Sequence, residues 1–392
     1  MSFACASGFD QRPTSMIWSN GHRLVSLRNP FRRPLQTTML TFTRTQLIPI
    51  GLHLGLRTAT VVQLSGTADR LELGTTAQCR LPSFEGLAPS DAERALGDSL
   101  RRLVVEHRLT GRKVVGCLTA DELFIETVRL PQLSPDELAK QIPAVAAERL
   151  PYPIADAEVR HLLAGEVKQD NVSKQEVILI AAPRETIHRR LRLLEYAGLR
   201  PVGIDIEPCA WLRCLHRASR ATGTSRTAYL FCGETTSTVM FTEGSRVLFM
   251  KSIPIGGRAF DAAVAQSLDG DLETAANMRA DVFAEDSLNG EDDIHRAVID
   301  ALRPCFDALV SEFELCLRYY KVTFRGRPLE GLVLCGHEAA PWFAEYLGDR
   351  VGMKSHTVNP LDGLRRTPAM PRLPVNPARW STALGLALKR IP

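Results

Sequence analysis

Residues Gly51–Gly66 read GLHLGLRTATVVQLSG, and 178 positions later Tyr229–Gly244 read YLFCGETTSTVMFTEG. Laid together they share Leu52/Leu230, Gly55/Gly233, Thr58/Thr236, Thr60/Thr238, Val61/Val239 and Gly66/Gly244. Each is an apolar strand, a glycine turn rich in hydroxyls, a β-branched strand and a closing glycine, which is the pattern of a β-hairpin. Two copies half a chain apart predict two similar lobes. Glycine lets backbone approach closely, and consecutive N–H groups with hydroxyls form an anion nest. One such hairpin is only a tight turn between core strands. A pair facing each other would hold a nucleotide's phosphates from both sides.

The rest of the 392 residues fits a two-lobed globular protein. Apolar residues make up 45% and charged residues 23%, enough to bury sizeable cores. Residues 1–45 hold six arginines and one acid, a net +5, so of the total +4 the remainder contributes −1. The body is therefore near neutral and offers no global case for nucleic-acid binding. The basic stretch at 1–45 reads as a disordered tail. Nine cysteines without a C-x-x-C pair read as buried thiols, and no zinc spacing occurs. The longest apolar runs, such as Val177–Pro183, are far shorter than the about 20 residues a membrane helix needs.

Helix starts are marked at Ser90–Glu93 and Ser134–Glu137, the second with proline at its first position. Pro143 predicts a kink or early break in that second helix. Residues 294–324 carry Leu302, Phe306, Leu309, Phe313, Leu317 and Tyr320 as one apolar stripe, a long core helix. Arg365–Pro377 reads as a connector and Trp380–Lys389 as a closing helix.

This order of motifs resembles the superfamily of actin, the heat-shock chaperone ATPases and the sugar kinases. Within it the chain is similar to the PilM proteins of type IV pilus assembly, themselves related to the cell-division protein FtsA. IPIGLHLGLRTATVVQL looks like the first phosphate strand pair. VRLPQLSPDELAKQIPAVAAERLPYPIADAEV looks like the subdomain peculiar to PilM. SIPIGGRAFDAAVAQSL, GLVLCGHEAAPWFAEYLGDRVG, NPLDGL and ALGLAL match later signatures in order. The resemblance implies a two-lobed α/β actin-like ATPase fold (a duplicated ribonuclease-H-like core) with a PilM-type inserted subdomain. Lobe I would span 46–225, with core at 46–118 and 183–225 and the insert at 119–182. Lobe II would span 226–370, with core at 226–255 and 331–370 and a small subdomain at 256–330. Residues 371–392 would return to lobe I.

The same resemblance marks Gly55, Thr58, Gly233, Thr235, Thr236, Gly256, Gly257 and Gly336 as nucleotide-binding positions. Both phosphate loops of the family begin with aspartate, which holds the metal ion and its waters. Here those positions are His53 and Phe231. A neutral imidazole and a benzyl group cannot do that work. His53 reads as a partnered polar residue near the cleft and Phe231 as a cleft filler. The expectation is no hydrolysis, no metal site and no required cofactor, with ATP and Mg²⁺ the family ligand these losses weaken. The implied function is a cytoplasmic scaffold, peripheral to the inner membrane through its partners. It would dock the cytoplasmic tail of a bitopic PilN-like protein, with pilus motor ATPases and other assembly-platform proteins as further partners. Leu138, Ile142, Leu150 and Tyr152 are the candidates to line that groove. The alternatives are an active ATPase of the same fold and a GspL-like component of type II secretion. That last family usually continues into a membrane helix, whereas this chain ends at Pro392 after an amphipathic helix.

Overall fold

A computed structural model describes residues 48–390 apart from 68–69, 83–85, 108, 170–171, 220–224, 289–291, 325–327 and 367–375. The expected tail at 1–45 and most of the connector at 365–377 lie outside the described residues.

The chain opens with β1 (Ile50–Leu54), β2 (Thr58–Thr67), β3 (Arg70–Arg80), α1 (Pro89–Glu106) and β4 (Lys113–Leu118). An inserted unit follows: β5 (Phe124–Pro131), α2 (Pro135–Ala147), β6 (Ala157–Gln169) and β7 (Val172–Pro183). The first lobe is completed by α3 (Arg184–Tyr196), β8 (Arg200–Ile206) and α4 (Glu207–Ser219). The second lobe holds β9 (Arg226–Cys232), β10 (Ser237–Glu243), β11 (Arg246–Ile253), α5 (Gly257–Ser267), α6 (Leu272–Ala284), α7 (Asp293–Thr323), β12 (Gly331–Gly336), α8 (Pro341–Val351) and β13 (Ser355–Thr357). Then β14 (Arg365–Arg366) and α9 (Ser381–Ala387) return to the first lobe.

The duplication read from two hairpins extends to whole sheets. The first lobe orders its strands β3-β2-β1-β4-β8, with β14 added at one edge. The second orders them β11-β10-β9-β12-β13. In each, three antiparallel strands are followed by two parallel ones. The register repeats too: His53 faces Thr60 on β2 as Phe231 faces Thr238 on β10.

Most local expectations follow their residues. Ser134 accepts from the Glu137 N–H while Glu137 reaches back to Ser134, a formed capping box on α2. At α1 the box does not form. Pro89 starts the helix one residue earlier, and Ala88 takes the cap position without a side-chain bond. Nor does Pro143 break α2, which runs through it. Pro143 is exposed, so water can satisfy the carbonyl its missing N–H leaves free. All six residues of the predicted α7 stripe are buried, in the core of the second lobe. Each contributes about 1.5–3 kcal/mol by leaving water.

What positions the cleft is a core shared by three parts of the chain. Ile178 and Ile180 of β7, Trp211 and Leu215 of α4, and Tyr229, Phe231 and Met250 of the second lobe form one buried cluster. The far end of the chain locks onto the first lobe. Lys389 Nζ lies 2.8 Å from Asp205, both buried. Among the described residues no helix is long and apolar enough to cross a membrane.

Candidate functional site: the cleft between two turns

Both glycine turns close alike. Gly55 donates its N–H to the Thr58 carbonyl at 2.9 Å, and Gly233 to the Thr236 carbonyl at 3.0 Å. Between them lies a cavity of about 290 Å³, whose lining includes His53, Gly55, Glu207, Gly233, Thr235, Thr236 and His337. The sequence-predicted turn residues are thus brought together. The Thr58 hydroxyl donates to Glu234 Oε1 at 3.2 Å, and the Leu56 and Arg57 N–H groups donate to Glu234 Oε2, the latter at 3.1 Å.

Gly256 and Gly257 sit against the second turn and outside the cavity lining. A Cβ on Gly256 would lie 2.7 Å from the Gly233 carbonyl oxygen. The first N–H groups of α5 are already engaged: Gly257 donates to Gly233 O at 3.0 Å and Arg258 to Glu234 O at 2.7 Å. Gly336 has φ +101°, a left-handed conformation that only glycine adopts readily. It lets the chain turn closely against Cys232 of β9, whose carbonyl accepts from Glu338 N–H at 3.3 Å.

The two positions where the family carries aspartate are both buried. His53 is 1% exposed. Its Nε2 lies 3.0 Å from Glu207 Oε1, and its Nδ1 lies 3.5 Å from the Thr60 hydroxyl. Phe231 is not a cleft filler. It lies in the shared core, its ring stacked on Trp211 with centroids 5.4 Å apart and planes 8° apart. The apolar seam between the lobes takes the ring, away from the cavity.

Three polar residues of the cleft escaped sequence reading. Glu207, buried, accepts the Ala120 N–H at 3.2 Å and faces His53. Its signal was an acid directly between a buried strand end and Pro208. Glu234, directly after the glycine of the second turn, turns its carboxylate onto the opposite turn. His337 is buried, its ring centroid 5.4 Å from that of His53, and neither of its nitrogens has a hydrogen-bond partner among the described residues. Beside them Arg190, 9% exposed, donates to both Glu122 oxygens at 2.8 and 2.9 Å.

Beyond the second turn a buried charge network fills the small subdomain's inner wall. Arg279 Nε donates to Asp261 Oδ1 at 2.6 Å, and its Nη1 pairs with Glu338. Arg57 of the first turn reaches the same Asp261 at 2.5 Å, tying the lobes. Among the described residues no group of three or more histidines, cysteines or acids is arranged to hold a metal ion.

Burial works to push the Glu234 carboxyl up. The His337 and His53 rings and the Arg57 and Leu56 N–H donors outweigh it and hold the group below its usual range. Burial holds the His337 imidazole below its usual value, against the pull of Glu234. Both groups have depressed folded values, so each stabilises the fold above its unfolded value and loses that contribution as pH falls. For His337 the loss begins below about 6.5. The melting temperature is expected to drop between about pH 7.5 and pH 5.5, and His337→Gln to drop less. Equal slopes in the two proteins would exclude His337 as the source.

Of the four groove candidates, two are corrected. Leu138 and Ile142 are buried with Val128, Leu130, Val177 and Leu179, pinning α2 to the inserted sheet. Leu150 and Tyr152 are half-buried. Burial pushes the Tyr152 phenol up, and its buried hydroxyl has no hydrogen-bond partner among the described residues.

Comparison with known proteins places the fold. A solved PilM–PilN type IV pilus biogenesis complex is similar with a TM-score of 0.72 and 22% identity, over 88% of this chain and 99% of that one. The ethanolamine utilization protein EutJ from Carboxydothermus hydrogenoformans is similar with a TM-score of 0.50 and 14% identity, over 87% and 89%. These likenesses give the two-lobed actin-like ATPase architecture. The model of the type IV pilus assembly protein PilM matches residues 51–391. Carried over a span that holds both sheets, the cleft between the paired turns and the inserted three-stranded unit, that match makes this chain a member of the PilM family of type IV pilus assembly proteins.

Proposed function

We propose that this chain is a docking scaffold of type IV pilus assembly that holds the cytoplasmic tail of a bitopic, PilN-like inner-membrane protein and does not hydrolyse ATP. It would work in the cytoplasm, at the inner membrane through that partner. The observation carrying this reading is the fate of the two acid positions: His53 is a buried imidazole with its Nε2 3.0 Å from Glu207 Oε1, and Phe231 is built into the interlobe core. ATP with Mg²⁺ does not fit the residues present. The first turn's donors and the first N–H groups of α5 are bonded within the protein, so few preorganised donors remain for transferred phosphate.

The inserted unit supports the docking half of the reading. It shares its core with both lobes, so a segment seated beside it meets a rigid surface. Tyr152, a half-buried aromatic ring with Leu150 close by in sequence, would be an anchor of the type that dominates interfaces. The similar solved structure is itself a complex of PilM with PilN. The test is a titration with a labelled peptide of the N-terminal tail of the bitopic partner. Saturable binding is expected, about tenfold weaker for Tyr152→Ala. No binding would overturn docking. Magnesium-dependent ATP turnover by the wild type would overturn the rest.

A further inference from the structure

The first turn offers three donors that converge on one point: the N–H groups of Leu56 and Arg57 and the hydroxyl of Thr58. Two consecutive N–H groups beside a hydroxyl are the elements of an oxyanion nest. What sits at that point is the carboxylate of Glu234, from the other lobe. At the offset that aligns the two hairpins, Glu234 is the counterpart of Leu56. One turn thus presents an acid at its tip and the other presents donors. Three further observations show that the arrangement is built. A Cβ on Gly55 would lie 2.7 Å from Glu234 Oε2, so glycine there makes room for this carboxylate. The Glu234 carbonyl accepts the Arg258 N–H at 2.7 Å, which anchors the acid to α5. The next residue of the first turn, Arg57, pairs with Asp261 on that same helix.

We propose that Glu234 is the resident ligand of an oxyanion site in the first turn, so that the lobes are latched by a carboxylate of the chain itself where a phosphate group would otherwise bridge them. The site is formed and occupied in cis. Taking the carboxylate away leaves a nest for a tetrahedral oxyanion. The inference goes beyond docking and involves neither partner nor nucleotide.

Hydrogen exchange of the Leu56 and Arg57 amides in the full chain tests it, in buffer free of phosphate and sulfate. In Glu234→Ala these amides are expected to exchange at least about tenfold faster than in wild type, because their acceptor is gone. Inorganic phosphate, and equally sulfate, should restore the protection in the variant and leave wild type unchanged. Glu234→Gln keeps an acceptor oxygen and should fall between them. It also serves as the comparison if the alanine variant does not fold. Three results overturn the proposal: unchanged exchange in both variants, phosphate protecting wild type as strongly as the variant, or protection by chloride at equal ionic strength.

Discussion

Phe231→Asp is expected to break the joint between the lobes and to bring no magnesium-dependent ATP binding with it. The substitution writes back the residue type that the family's second phosphate loop carries. In this chain the position no longer belongs to the cleft. Phe231 is 2% exposed and stacked on Trp211, which is fully buried. Removing a buried phenyl ring costs about 3–5 kcal/mol through lost burial and the cavity left behind. A carboxylate placed there also loses its hydration without gaining a partner. Against a total stability of about 5–15 kcal/mol, that is enough to unfold much of the population. Phe231→Leu, which keeps most of the volume, should cost well under half as much. Urea unfolding followed by tryptophan fluorescence reads both. A Phe231→Asp protein as stable as wild type that also gained magnesium-dependent ATP binding would show that the side chain faces the cleft.

The hairpins were legible because glycine, hydroxyls and strand alternation lie within sixteen residues of one another, and the repeat gave them a second witness. The stripe of α7 was legible because helical period and core period coincide. The cleft's polar residues were not. Glu234 finds its donors 176, 177 and 178 positions away, and Glu207 finds Ala120 at 87. A lone acid carries no local sign of a distant partner. Leu138 and Ile142 show the converse ambiguity. An apolar stripe on α2 serves a core or a groove equally well in sequence, and here the inserted sheet covers it. Phe231 combined both problems: motif alignment located the position, while packing decided which way the ring went.

Arg279→Met is the second large effect expected. Arg279, 5% exposed, joins Asp261 and Glu338, themselves 1% and 5% exposed. Its guanidinium also lies over the Phe283 ring, 5.3 Å from the centroid. Methionine keeps the apolar stem and removes the charge, so packing changes little while two buried carboxylates lose a partner. Breaking a buried pair in this way costs about 3–5 kcal/mol, because what is left is uncompensated charge. Asp261 retains Arg57, so most of the cost falls on Glu338. The origin of the loss sets its pH dependence. An orphaned buried carboxylate favours its neutral form, so protonation relieves the penalty, and the gap to wild type should narrow as pH falls. Adding Glu338→Gln to Arg279→Met should recover stability in place of losing more, the coupling expected of residues in one network. Arg279→Lys keeps the charge without the planar fork and should fall between. Denaturant unfolding at two pH values separates these cases. An Arg279→Met protein within about 0.5 kcal/mol of wild type at neutral pH would mean that water already satisfies the two carboxylates, and the network would then add little to the stability of the second lobe.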